Sequence, residues 1–188
     1  TYTFRVKQGV YFADDPAFRG NKRELTAQDF AYSIRRMYDP KLRSPNLYLF
    51  EGKIIGADEV MLQAKKTGKY DYDAPIAGLE VPDRYTLRIR LKQPDYNFQY
   101  VMAMPLAVGM AREVVEHYGD DVRSHPVGTG PFMLKEWRRS SKIVLEANPN
   151  FREEYFTGSR GSTPEDNAIY ARLQGKRLPV VGRIEVVI

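Results

Sequence analysis

The segment at residues 126–132 constrains the fold most strongly. It reads Pro-Val-Gly-Thr-Gly-Pro-Phe and is followed by an alternating apolar run at 143–147 and by Asn-Pro-Asn-Phe at 148–151. Gly128 and Gly130, on either side of Thr129, permit positive φ and leave backbone N–H groups uncovered by a Cβ. The pattern predicts a tight corner that leads into a strand pair. A corner of this kind serves either as a plain turn or as part of a ligand site, and its spacing alone does not separate the two.

The rest of the chain mixes strand and helix patterns without a steady alternation. Half-buried strands are predicted at 2–6 and 86–91, and a hairpin at 132–147. A helix capped by Thr26 and Asp29 is predicted to end before Pro40. Further helices are predicted at 56–67, from residue 98 and at 110–118. This order favours an α+β fold, or an α/β lobe with insertions, over a doubly wound sheet.

The length and composition are typical of a globular protein. A chain of 188 residues with 43% apolar and 28% charged residues can build one substantial core or two small subdomains. No apolar run is long enough to span a membrane. No basic segment followed by an apolar stretch opens the chain, so no signal peptide is expected within it. Strand-like patterns at both ends predict a fragment.

Charge and cysteine content argue against several kinds of function, namely thiol chemistry, sulfur-based zinc sites and nucleic-acid binding. The chain has no cysteine, which excludes disulfides, thiol nucleophiles and zinc sites built on sulfur. Its formal net charge is +5, but the basic residues occur as scattered pairs that are typical of a solvated surface. Nucleic-acid binders concentrate such charge on one face, so we expect no nucleic-acid partner.

Catalytic and metal-binding patterns are weak. The two histidines, His117 and His125, lack zinc-motif spacing and are interpreted as structural or solvated. Asp71 and Asp73 alternate with tyrosines and lack the oxygen-rich loop of a calcium site. No nucleophile and base stand in a recognisable arrangement. We therefore predict a chain without catalytic residues, metal or cofactor.

The aromatic residues are the stronger functional signal. The chain has thirteen tyrosines, and Tyr48 lies in an irregular segment with Asn46 and Phe50. A loop tyrosine gives a ligand an apolar wall and one hydrogen bond. The neighbouring apolar residues equally predict a loop that is simply anchored to the core. Both interpretations remain open on the residues alone.

Three motifs in order resemble a known family. They are the opening Tyr-Thr-Phe-Arg-Val-Lys-Gln-Gly-Val at 2–10, Glu-Leu-Thr-Ala-Gln-Asp-Phe at 24–30 and the corner at 126–132. Together they resemble the extracytoplasmic solute-binding proteins of ABC transporters, in the oligopeptide- and dipeptide-binding family. The resemblance extends from Tyr2 to about Phe151, lapses in the polar stretch at 157–177 and resumes at 183–188.

This resemblance implies part of one lobe of a two-lobed, type II periplasmic-binding-protein-like fold. Residues 1–125 are expected to form a subdomain of lobe I, and residues 126–188 the segment that returns to its central sheet. The opposing lobe is expected beyond Ile188. The implied function is non-catalytic capture of a solute, most simply a short peptide, in the cell envelope. The family also includes binders of metal complexes, haem and sugars.

The resemblance also implies partners and site residues. The solute is handed to the membrane permease of an ABC transporter, and the membrane is reached only through that permease or a lipid anchor outside this fragment. The motif Tyr-Leu-x-x-Gly at 48–52 corresponds to the family's cleft tyrosine. The candidate ligand-binding residues are Asn46, Tyr48, Gly128, Thr129 and Gly130. The alternatives are a hydrolase fragment that lacks its catalytic residues and a basic nucleic-acid-binding domain.

Overall fold

The computed structural model describes residues 1–187, which divide into two compact units. The first unit consists of residues 1–8 and 24–117, and the second of residues 9–23 and the chain from Tyr118 onward. Helices and antiparallel sheets are mixed along the chain, which confirms the predicted α+β class. The expected division of the parent lobe at residue 125 stays a prediction.

The first unit contains an antiparallel sheet of three strands, β1 (Tyr2–Arg5), β2 (Leu79–Asp83) and β3 (Thr86–Ile89), in the order β1-β3-β2. The two strands predicted from alternation are confirmed. Pro82 and Asp83 belong to β2, and the chain reverses at Arg84 and Tyr85. Pro82 is tolerated because the ladder between β2 and β3 is irregular there.

Four α-helices accompany this sheet: α1 (Ala27–Met37), α2 (Ala57–Thr67), α3 (Phe98–Met102) and α4 (Arg112–Tyr118). The predicted start of α1 is confirmed, because the Asp29 carboxylate accepts the Thr26 N–H at 2.7 Å. Gly68 ends α2 with φ of 74°, a conformation that favours glycine. The buried side of α1 packs on β2 and β3 and closes the core.

The core of the first unit holds the segment that follows α1. Tyr38, Phe50 and Phe98 are fully buried. The Tyr38 hydroxyl donates to the Phe50 carbonyl at 2.7 Å, and the rings of Phe50 and Phe98 meet edge to face with centroids 6.1 Å apart. Edge-to-face pairs are a favourable aromatic geometry. These contacts fix the loop that carries Asn46 and Tyr48.

The second unit is organised around an antiparallel sheet of β4 (Phe132–Arg138), β5 (Lys142–Ala147) and β6 (Arg183–Val187), in chain order. The predicted hairpin of β4 and β5 is confirmed. The polar stretch, for which the sequence predicted no element, contains α5 (Pro164–Leu173). Its start is capped by the Thr163 hydroxyl, which accepts the Asp166 N–H at 3.1 Å. None of the helices within residues 1–187 combines the length and the apolar character needed to cross a membrane.

Candidate functional site

The loop before Tyr48 is built by local backbone bonds. The Ser44 hydroxyl accepts the Asn46 N–H at 3.3 Å, and the Asn46 carbonyl accepts the Leu49 N–H at 3.1 Å. These bonds start a short 3-10 helix, Leu47–Leu49. Serine and asparagine favour such turns because their side chains compete for backbone donors. Asn46 thus shapes the loop through its backbone, and its side chain makes no capping bond.

Tyr48 faces outward from this anchored loop. Its side chain is 70% exposed, whereas Phe50, two residues later, is completely buried. Leu47 and Leu49 pack against the core. The two interpretations of the loop therefore apply to different residues: the apolar neighbours anchor it, and Tyr48 presents a ring and a hydroxyl to solvent. A side chain held on a fixed backbone loses less entropy when it binds.

The corner at 126–131 differs from its predicted geometry. Neither Gly128 nor Gly130 has a positive φ, so the left-handed corner expected from the sequence is wrong. A Cβ built at either glycine meets no atom within 4 Å. The chain needs no left-handed residue because bonds to distant residues bend it instead. The Gly128 carbonyl accepts the Ala13 N–H at 2.8 Å.

Asn148 completes the corner from the other side. This side chain is 4% exposed, and its amide Nδ2 donates to the Gly130 carbonyl at 2.9 Å. Its backbone N–H donates to the Pro131 carbonyl, also at 2.9 Å. The carbonyls of Gly128, Gly130 and Pro131 are therefore satisfied internally. Within residues 1–187, the N–H groups of Gly128, Thr129 and Gly130 donate to no protein atom, so they remain available to an acceptor.

The candidate residues fall into two local groups. Asn46 and Tyr48 belong to the first unit, and Gly128, Thr129 and Gly130 belong to the second. Each group is held in place by contacts within its own unit. Their participation in one ligand site stays a prediction.

The histidines occupy surface positions. His117 is exposed at the end of α4. The exposed His125 ring stacks on Tyr118 with centroids 3.9 Å apart, and the Tyr118 hydroxyl donates to Asp15 Oδ2 at 3.0 Å. Burial and the bond to this carboxylate raise the pKa of Tyr118. Across the described chain, no three histidine, aspartate or glutamate side chains group as metal ligands do.

The carboxylates of Asp71 and Asp73 have protein partners. Arg112 Nη1 donates to Asp73 Oδ1 at 2.6 Å and its Nη2 to Asp73 Oδ2 at 3.2 Å. These bonds lower the pKa of Asp73. Asp71 Oδ1 accepts the Asp73 N–H at 2.9 Å. Both carboxylates are therefore engaged in hydrogen bonds within the protein.

Two cavities were not predicted from the sequence. One, of about 1080 Å³, lies in the first unit between α2 and the loop at 69–77. Another, of about 370 Å³, lies in the second unit beside the corner and includes His125 and Trp137. In the sequence, the alternation of tyrosine and aspartate at 70–73 is the signal of the first cavity. The rest of its wall consists of side chains from α2 and α4, which lie apart in the sequence and form no local pattern.

Comparison with known proteins identifies relatives whose names state what they bind. The chain is 31% identical over 159 residues to di/tripeptide-binding protein 2 of Pseudomonas aeruginosa, a match that covers 80% of this chain and 27% of that protein. It is 30% identical over 155 residues to the periplasmic oligopeptide-binding protein OppA of Escherichia coli K12, covering 80% of this chain and 26% of OppA.

A solved structure extends the likeness to nearly all of the chain. The Escherichia coli murein tripeptide binding protein MppA matches with a TM-score of 0.65 and 26% identity, over 98% of this chain and 30% of MppA. The chain thus spans between a quarter and a third of the length of these relatives. Residues 1–188 also match the family model described as bacterial extracellular solute-binding proteins, family 5 middle. The chain belongs to this family of extracellular solute-binding proteins.

Proposed function

We propose that the chain is part of the solute-binding component of an ABC transporter and that the solute is a short peptide. The observation that carries this proposal is the family match along residues 1–188. It is supported by two relatives whose names state di/tripeptide and oligopeptide binding. The parent protein acts outside the cytoplasm and delivers its solute to a membrane permease.

Binding, and not catalysis, is the chemistry that the described groups support. Tyr48 offers an exposed ring on a fixed loop, which suits an apolar side chain and one polar group of a peptide. The N–H groups of the corner suit carbonyl or carboxylate oxygens, the acceptors that a peptide has in excess. We propose Tyr48, Asn46 and residues 128–130 as contributions of this chain to the peptide site. No turnover of peptide or ester bonds is expected.

The proposal is tested on the full-length parent protein by titration calorimetry with di- to pentapeptides. Tyr48→Phe removes one hydroxyl and is expected to raise the Kd by up to about tenfold, the worth of one hydrogen bond of about 0.5–1.5 kcal/mol. Tyr96→Phe is the matched control, because Tyr96 is 85% exposed. Failure of the wild-type parent to bind any peptide would refute peptide as the solute. Equal affinity of wild type and Tyr48→Phe would remove Tyr48 from the site.

A further inference from the structure

We propose that the cavity between α2 and the loop at 69–77 is a second binding site, for a small amphipathic anion with a carboxylate head and an apolar tail. The proposal goes beyond peptide capture and concerns the first unit alone. Its basis is the joint presence of a cavity with apolar walls and, bonded to the cavity loop, an arginine with no carboxylate of the described chain within 4 Å.

The cavity has the size and lining of a ligand site. Its volume of about 1080 Å³ is comparable with that of pockets that enclose small molecules. Val60 and Ala64 of α2 form one wall, and Tyr72, Pro75 and Ala77 contribute apolar surface from the loop. Such walls favour an alkyl chain, because removing apolar surface from water is favourable.

Arg35 of α1 is bonded to the cavity loop and does not itself line the cavity, and it supplies the positive charge. Its side chain is half-buried, and its Nη1 donates to the Ala74 carbonyl, on the cavity loop, at 2.6 Å. Its Nε is buried and has no hydrogen-bond partner, and no carboxylate within residues 1–187 lies within 4 Å of the guanidinium. Burial lowers the pKa of Arg35, which reflects the cost of placing this charge away from water. An anion at this position would offset that cost.

Tyr70 supplies a second donor. It lines the cavity, is 6% exposed and has a buried hydroxyl without a hydrogen-bond partner among residues 1–187. Burial raises the pKa of Tyr70 to about 12, so the hydroxyl stays protonated at neutral pH. A carboxylate has two oxygens and can therefore accept from both donors. Both donor atoms are covered by protein, so the loop at 69–77 must shift to admit the head group.

The acidic groups of the cavity do not cancel this preference. Asp73 is neutralised by its bonds with Arg112, and Asp71 is exposed and accepts an N–H of its own loop. Glu59 is 65% exposed at its side chain and lies 3.7 Å from Lys92. Asp71 and Asp73 attract the Arg35 charge, but these exposed carboxylates are screened by water and salt more strongly than the half-buried guanidinium. The cavity therefore favours a ligand whose negative head group lies beside Arg35 and Tyr70.

The test is titration calorimetry of the 188-residue chain with octanoate, and with octylammonium as the probe of opposite charge. Octanoate is expected to bind saturably, and octylammonium at least about tenfold more weakly. Tyr70→Phe is expected to weaken octanoate binding by about three- to tenfold, the effect of one lost hydrogen bond. Arg35→Met is expected to weaken it further. The exposed residues Tyr96 and Arg123 provide the control variants Tyr96→Phe and Arg123→Met, which should bind as wild type does.

Several results would overturn the proposal. They are absence of saturable octanoate binding, equal binding of octylammonium, and unchanged affinity in a folded Tyr70→Phe variant. Circular dichroism establishes folding, and Tyr70→Phe keeps the test valid if Arg35→Met does not fold. Octanoate binding is expected to persist in the peptide-loaded parent, because the site is independent of peptide capture. Competition between a peptide and octanoate would identify the cavity as the peptide site and refute a separate one.

Discussion

Gly78 gives the sharpest test of the described packing. It lies where three backbone segments of the first unit meet: its N–H donates to the Ile55 carbonyl at 2.7 Å, and its carbonyl accepts the Arg90 N–H at 2.8 Å. The Ile55 N–H donates to the Arg90 carbonyl at 3.1 Å. A Cβ on residue 78 would stand 2.6 Å from the Arg90 oxygen and 2.7 Å from both the nitrogen and the oxygen of Ile55. All three neighbours are backbone atoms, so no side chain can rotate away.

The magnitude follows from these three bonds. Gly78→Ala must separate the segments, which weakens or breaks up to three backbone hydrogen bonds, each worth a net of about 0.5–1.5 kcal/mol. We therefore expect a loss of about 3 kcal/mol in the free energy of unfolding. For a domain of 150–250 residues this corresponds to a fall in Tm of about 6–12 °C.

Urea unfolding followed by circular dichroism measures this loss. Gly130→Ala is the matched control, because its Cβ position is open and its φ is not left-handed. It is expected to stay within about 0.5 kcal/mol of wild type. A Gly78→Ala variant as stable as wild type would refute the reasoning, as would equal losses in the two glycine variants.

Three further predictions concern stability and binding. Tyr38→Phe removes one of the two donors of the buried Phe50 carbonyl, which also accepts the Lys53 N–H at 3.0 Å, and is expected to cost about 0.5–1.5 kcal/mol in urea unfolding, whereas Tyr96→Phe is expected to cost nearly nothing. Stability is expected to fall between pH 10 and about 12, because the unfolded chain releases the Tyr70 proton near 10.0 while the folded chain holds it until about 12. Urea midpoints for Tyr70→Phe should fall less steeply in that window, and an unchanged slope would contradict the assignment. The isolated chain is expected to give flat calorimetry with peptides, because part of a site buries too little ligand to offset association costs of at least about 4 kcal/mol. Micromolar peptide binding would show that the fragment holds a complete site.

Much of the local structure was determined by the sequence alone. Thr26 and Asp29 specify the start of α1, and Gly68 specifies the end of α2, because capping depends on residues a few positions apart. Alternation along β4 and β5 predicted their hairpin, since neighbours in a hairpin are also close in sequence. The motifs that indicated the family are likewise local and are confirmed by the match over residues 1–188.

The outcome at each candidate site was decided by tertiary contacts. Tyr48 and Phe50 are aromatic residues of one loop, yet Phe50 is buried because Tyr38 and Phe98 meet it from distant parts of the chain. Asn148 and Ala13 bend the corner at Gly128 and Gly130 without the positive φ that glycine spacing suggested.

The cavity of the first unit also depends on tertiary contacts that sequence patterns do not indicate. Its lining residues Ala64, Tyr70 and Arg112 come from α2, a loop and α4, and no periodicity along the chain indicates that these elements converge. Which donors remain buried without a partner depends on every segment packed around them. Sequence patterns report spacing along one segment, whereas burial and unmet hydrogen bonds arise only when separate segments come together.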